Sequence, residues 1–246
     1  MNDLLAATLT SGSQQVYTRA WDVFHRFFNL FYRPNELVLP VKSPTLAIFI
    51  SYLSAKKLSA STIVSYLSAI GYVHKIRDLP DPTKSFLIHK LLTAVKRQRS
   101  PDVRLPITKP VLSRLVASLI YTNASETQRV LYKAMFMLAF FGFFRIGELA
   151  TKGPETHCKV VQIGDLAFLK SGSVINKISI TICEFKHNTQ RRPFEILIER
   201  AASASFCPVR ALLDYCSIRG SQPGPLFSLH GNPVSVYVFN TQFISK

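Results

Sequence analysis

The sequence predicts a mainly α protein, α+β in its second half: a four-helix module, then a body that adds a small antiparallel sheet to further helices. Three observations carry this. Apolar and aromatic side chains recur at three- and four-residue intervals through the first hundred residues, the period of helices with one buried face. The run LYKAMFMLAFFGFFRIGEL, Leu131 to Leu149, is apolar almost throughout until it reaches Arg145 and Glu148. It reads as a buried helix delivering a cation to a cleft, because arginine keeps its proton and its head must meet a carboxylate, carbonyls or a bound phosphate. Further on, Ile178, Ile180 and Ile182 alternate with Ser179 and Thr181, the two-residue period of a half-buried strand.

Taken in order, Ser11 or Ser13 caps a first helix that ends near Tyr32, before Pro34, with Tyr17, Trp21, Phe24, Phe28 and Phe31 on one face. Such a stripe serves as core or as a nucleobase-stacking platform; a helix that has to bury one side favours core. Ser43 and Pro44 open a second helix with Leu46, Phe49, Ile50 and Leu53 inward, the first-turn pairing expected where orphan N–H groups stand. Ser59 or Ser61 begins a third, with Ile63, Tyr66, Leu67, Ile70 and Val73 inward, and a fourth runs from about Thr83 to Val95 through Phe86, Leu87, Leu91 and Leu92. Short loops make these a bundle over residues 1–97. Residues 98–106, with Pro101 and Pro106, read as an extended basic linker.

The second domain, 107–246, opens with a helix from Thr108 and Pro110 whose inward residues are Val111, Leu115, Leu119 and Ile120. Ser125 and Gln128 offer a capping box for the helix leading to Arg145. Strands are expected over 160–169, 174–183 and 194–197. Cys207 and Pro208 start a helix with Val209, Leu212, Leu213 and Cys216 inward, and a Pro/Gly-rich turn precedes a last one.

With 48% hydrophobic residues over 246 positions, the chain has ample material for cores and is not a disordered protein. Its net charge is +16, and the excess is spread: 14 basic against 6 acidic residues up to Arg104, then 16 against 8. A polyanion facing both halves accounts for this, nucleic acid being the usual one; so does a charge excess that only serves solubility. Cys158, Cys183, Cys207 and Cys216 lack close zinc-ligand pairs and read as reduced residues. MNDLLAATLTSGS is not a secretory signal, and the apolar run before Arg145 is too short for a membrane span. Nucleus or cytoplasm is the expected location.

Lys56 and Lys57 precede Ser59, Ser61, Thr62 and Ser65. Hydroxyls and N–H groups at a helix start beside two lysines suit a phosphate, or they cap a solvated surface. KRQRSPDVR places Lys96, Arg97, Arg99 and Arg104 in a strap suited to a duplex, to a plain interdomain connection or to a localisation signal. In EFKHNTQRRP, Asn188 and Thr189 form a hairpin turn flanked by Lys186, His187, Arg191 and Arg192. Lys186 at its mouth reaches a phosphate or a leaving oxygen, or is a solvated tip. Arg145 either pairs with Glu148 or reads a phosphate. His74 and His89 lack spaced ligand partners; no metal and no cofactor is expected.

FGFFRIGELA, then a strand pair with Lys186 at its turn, then CPVRALLDYC and PLFSLHGNPVS, resembles the phage-integrase-like tyrosine recombinases, closest in flavour to those of DIRS-type retroelements and their domesticated relatives in animals. The module containing STIVSYLSAIGYVHK resembles their core-binding (SAM-like) DNA-binding domain. The resemblance implies DNA recombination and integration: strand cleavage and rejoining through a phosphotyrosyl intermediate, with Arg145 on the scissile phosphate, Glu148 supporting the site and Lys186 assisting departure of the 5′ oxygen. It also implies a later histidine-two residues-arginine box and a nucleophilic tyrosine. No arginine follows His230, and Tyr237 lies ahead of where that box belongs. The expectation is a partial, C-terminally truncated tyrosine-recombinase catalytic domain that binds double-stranded DNA and is catalytically incompetent alone. The alternatives are a structural or interaction module of recombinase ancestry, whose exposed C-terminal surface takes a partner protein or a second copy, and a fragment without independent function.

Overall fold

Helices α1 (Ser11–Tyr32), α2 (Ser43–Ala55), α3 (Ala60–Ile76) and α4 (Phe86–Arg97) build the first unit of the computed structural model, which describes residues 8–32, 37–98, 105–183 and 192–244. The chain divides into two compact units, Met1–Arg104 and Leu105–Lys246.

In the first unit, α1 packs along α3, and its Phe24 and Phe27 rings meet Phe49 of α2 at centroid distances of 4.9 and 5.0 Å. The stripe is core, although Phe31 at its end is exposed. Thr10, rather than Ser11 or Ser13, caps α1: its Oγ1 accepts the Ser13 N–H at 3.3 Å. Lys42, not Ser43, stands at the N-cap of α2. Ser59 caps α3 by accepting the Thr62 N–H at 3.1 Å. The fourth helix begins later than expected, because Pro82–Lys84 forms a separate 3-10 turn and Ser85 caps α4 through the Ile88 N–H at 3.4 Å. That start turns Ile88, Leu91, Leu92 and Val95 inward and leaves Phe86 and Leu87 in solvent. His74 is fully buried. Its Nε2 accepts the Val41 N–H at 2.9 Å and its Nδ1–H donates to the Ile70 carbonyl at 2.7 Å, which pins the segment before α2 to α3.

The second unit holds α5 (Lys109–Ser118), α6 (Glu126–Phe141) and the short α7 (Ile146–Leu149). A sheet follows, with β1 (Leu166–Ser171), β2 (Val174–Ile182) and β3 (Phe194–Glu199) antiparallel in that order. Ile180 stands between Leu166 and Ile196, and Ile178 between Phe168 and Ile198. On α5 the inward residues are Leu112 and, half-buried, Leu115 and Val116, with Leu119 beyond; Val111 and Ile120 face solvent, one position out of the expected phase. The capping box of α6 forms, Ser125 Oγ accepting the Gln128 N–H at 3.2 Å and Gln128 Oε1 the Ser125 N–H at 2.8 Å.

Residues 160–165 are not strand. The Val161 N–H donates to the Glu148 carbonyl at 2.9 Å and its carbonyl accepts from Leu226 at 2.8 Å, so its backbone groups tie α7 to a distant loop instead of a ladder. Helix α8 (Pro208–Arg219) covers α6 and the sheet, with Leu131, Met135, Leu138, Ile178, Ile180, Val209 and Leu212 at the core. A tight hairpin of β4 (Ser228–Leu229) and β5 (Asn232–Pro233) leads into α9 (Val236–Ile244). The Arg219 guanidinium braces the loop before it, bonding the Gln222, Pro225 and Leu226 carbonyls at 2.7 to 2.9 Å. The fold class is mainly α with a small antiparallel sheet. Among the described residues, no helix is long and apolar enough to cross a membrane.

Candidate nucleic-acid interface

An open groove of about 830 Å³ runs beside the start of α3 in the first unit. Arg19 and Arg26 of α1, Lys56 after α2, and Ser61, Thr62 and Ser65 of α3 line it, together with Val16, Val23, Leu53, Leu58 and Tyr66. The placement follows from helix geometry. While α1 buries Ala20, Phe24 and Phe27, Arg19 and Arg26 stand seven residues apart, two turns on one neighbouring face with Val16 and Val23. Lys56 lies over the Tyr52 ring, 5.0 Å from its centroid. The hydroxyls of Ser61 and Thr62 meet Ser59 Oγ at 2.9 and 2.7 Å, so the start of α3 is a preorganised cluster of hydroxyls at the positive end of the helix.

Of the residues singled out in the sequence for this unit, Lys56 lines the groove, while Lys57, Lys96 and Arg97 are exposed without lining it. Arg99 and Arg104 lie outside the described residues. The sequence reading named neither Arg19 nor Arg26 as a binding residue; their seven-residue spacing was the signal for them.

In the second unit, Arg145 does not end the buried helix. Helix α6 stops at Phe141, Phe143 takes a left-handed backbone (φ 55°), and Arg145 is the N-cap of α7. Gly142 is required here, since a Cβ would stand 2.5 Å from the buried Phe144 ring. The Arg145 side chain is 83% exposed. Glu148 grips it twice: one carboxylate oxygen accepts the Arg145 backbone N–H at 2.8 Å, and the other accepts from Nη1 at 3.2 Å. A guanidinium has five N–H donors, so donors remain for a phosphate oxygen.

Glu148 also lines a pocket of about 210 Å³ with Phe144, Cys158, Lys159, Asp165 and Cys183. Cys183 directly follows β2, so the end of that strand shares this pocket with Glu148. Lys186, His187 and Arg191 lie outside the described residues; Arg192 is exposed just before β3. Tyr132 and Tyr215 are buried, and burial pushes both hydroxyls up, whereas Tyr237 on α9 is 77% exposed. Among the described residues, no cluster of three or more His, Cys, Asp or Glu is placed to hold a metal ion.

No protein-family model matches the chain, and no sequence of a curated protein matches it. Among solved structures, the chain is similar to the crystal structure of XerA recombinase over 95% of its own length and 67% of that protein's, at 16% identity and a TM-score of 0.32.

Proposed function

We propose that this protein binds the phosphate backbone of double-stranded DNA. The observation that carries this is the groove at the start of α3, where three cations and a row of hydroxyls line one concavity beside a helix N-terminus. Backbone contacts of this type dominate affinity and are tolerant of sequence. Arg145 and Glu148 form the described part of a second, recombinase-type phosphate site in the second unit, to which the same proposal assigns Lys186, His187, Arg191 and Arg192 as further phosphate-binding residues. Lys57, Lys96, Arg97, Arg99 and Arg104 add further backbone contacts. A DNA-recombinase ancestry of the DIRS-retroelement kind, acting in nucleus or cytoplasm, belongs to the same proposal.

Phosphotyrosyl chemistry needs a nucleophile in line and cations on the non-bridging oxygens as charge develops. Arg145 and Lys186 alone bind without cutting, so the 246-residue polypeptide is expected to bind a labelled duplex and to leave no covalent adduct on a nicked suicide duplex. A trapped protein–DNA adduct overturns the second expectation, and the triple variant R19A/R26A/K56A binding as tightly as the parent overturns the first. Exposed Tyr237 and Val238 on α9 favour a second reading, a surface that takes a partner protein or another copy. A single monomeric species at all concentrations in sizing runs excludes the second copy.

A further inference from the structure

Among the described residues, Phe143 is the most exposed large apolar side chain of the second unit, at 90% of its free area. Its backbone lies in the left-handed region, with φ 55°, a conformation that a bulky side chain adopts at a cost and that is held where the surroundings impose it. Both neighbours impose it. Gly142 closes α6 against the Phe144 ring, Phe144 is locked into the core, and the Glu148 carboxylate fixes the backbone N–H of Arg145. The loop therefore presents one aromatic ring outward from a rigid base, and among the described residues that ring has no aromatic partner.

We infer that Phe143 is a base-stacking residue, which takes the face of an unpaired nucleobase next to the phosphate held by Arg145. This rests on the proposed phosphate role of Arg145 and deepens it. Residues 143 and 145 are two apart, so their Cα atoms stand at most about 7 Å from each other, against a rise of about 3.4 Å per nucleotide. A strand whose phosphate meets the guanidinium thus brings an adjacent base to the ring. The chemistry matches on both counts: the 83% exposed cation suits the backbone, and every base offers a π-face to an aromatic platform. A paired, stacked base has no free face, so the ligand class is DNA with a gap or single-stranded stretch.

The test uses the full chain, measuring affinity for an intact duplex and for the same duplex carrying a one-nucleotide gap. The parent is expected to prefer the gapped form, and Phe143→Ala to lose about tenfold on it and little on the intact one. Phe143→Trp is expected to keep the preference and to show emission quenching on gapped DNA beyond any change from Trp21 in the parent. Phe143→Gly, which fits the left-handed backbone, is expected to match or exceed the parent in melting temperature while losing the preference. Equal binding of both duplexes by the parent, an undiminished preference in Phe143→Ala, or a marked drop in melting temperature for Phe143→Gly each sinks the stacking role while leaving backbone binding intact. No binding to either duplex overturns the phosphate proposal as well.

Discussion

The Glu148 carboxylate holds Arg145 at two points, taking its backbone N–H at 2.8 Å and its guanidinium at 3.2 Å. One acidic residue thereby both starts α7 and aims the cation, and the two roles separate on mutation. Arg145→Ala is expected to weaken duplex binding and to reduce the salt dependence by about one charge equivalent with little change in melting temperature, since the side chain is 83% exposed. Glu148→Ala removes the acceptor at the start of α7 and is expected to cost about 1 kcal/mol of stability, read by denaturant unfolding.

His74 ties the Val41 N–H before α2 to α3, where the Ile70 carbonyl on its own helix holds the other ring nitrogen. Replacing it by leucine keeps much of the volume but leaves a buried N–H without an acceptor, a loss of about 1–3 kcal/mol. Urea unfolding of the His74→Leu variant checks this; an unchanged midpoint contradicts it.

Asp81 makes the first unit sensitive to acid. Burial works to raise its carboxyl, but hydrogen bonds from Thr83 and the Lys75 ammonium 3.3 Å away outweigh it and hold the group below its ordinary value. A group whose pKa is depressed on folding contributes stability that is complete above its unfolded pKa and fades as pH falls through the folded one. The parent should therefore exceed Asp81→Asn in stability at neutral pH, and the gap should narrow from about pH 4 downward. Chemical denaturation of both proteins across that range measures it; a gap independent of pH contradicts it.

The Tyr215 hydroxyl lies 2.9 Å from the Ser228 carbonyl and 3.1 Å from that of Leu226, and accepts the Ser228 N–H at 2.8 Å. Tyr215→Phe takes the acceptor from that half-buried N–H and should cost about 1 kcal/mol. The same variant should bind DNA as the parent does, because the hydroxyl is sealed inside the fold.

Helix faces with a sparse apolar stripe were readable from the chain. Ile63, Tyr66, Leu67 and Ile70 admit one phase only, and that phase is buried. Where apolar residues crowd adjacent positions, as in Phe86-Leu87-Ile88 and Val111-Leu112, periodicity admits two phases, and the helix start decides between them. Val160 and Val161 look like strand in sequence because they are β-branched and buried. Their partners are α7 and the loop at Leu226, which no local pattern encodes. At the candidate site, Lys56 was visible from its place before the α3 cap. Arg19 and Arg26 join it only once α1 and α2 bound the same groove. In Gly142-Phe143-Phe144 either ring reads equally well as core; closure of α6 against Phe144 sends Phe143 outward.

The salt dependence of duplex affinity tests the central claim most directly. If Arg19, Arg26, Lys56 and Arg145 each meet a phosphate, these four alone give log K against log salt a slope of about −3 to −4, so the parent should fall at least that steeply, and the R19A/R26A/K56A variant should flatten the slope by nearly three charge equivalents. A slope near zero in the parent, or one left unchanged by those three substitutions, contradicts backbone binding through the groove.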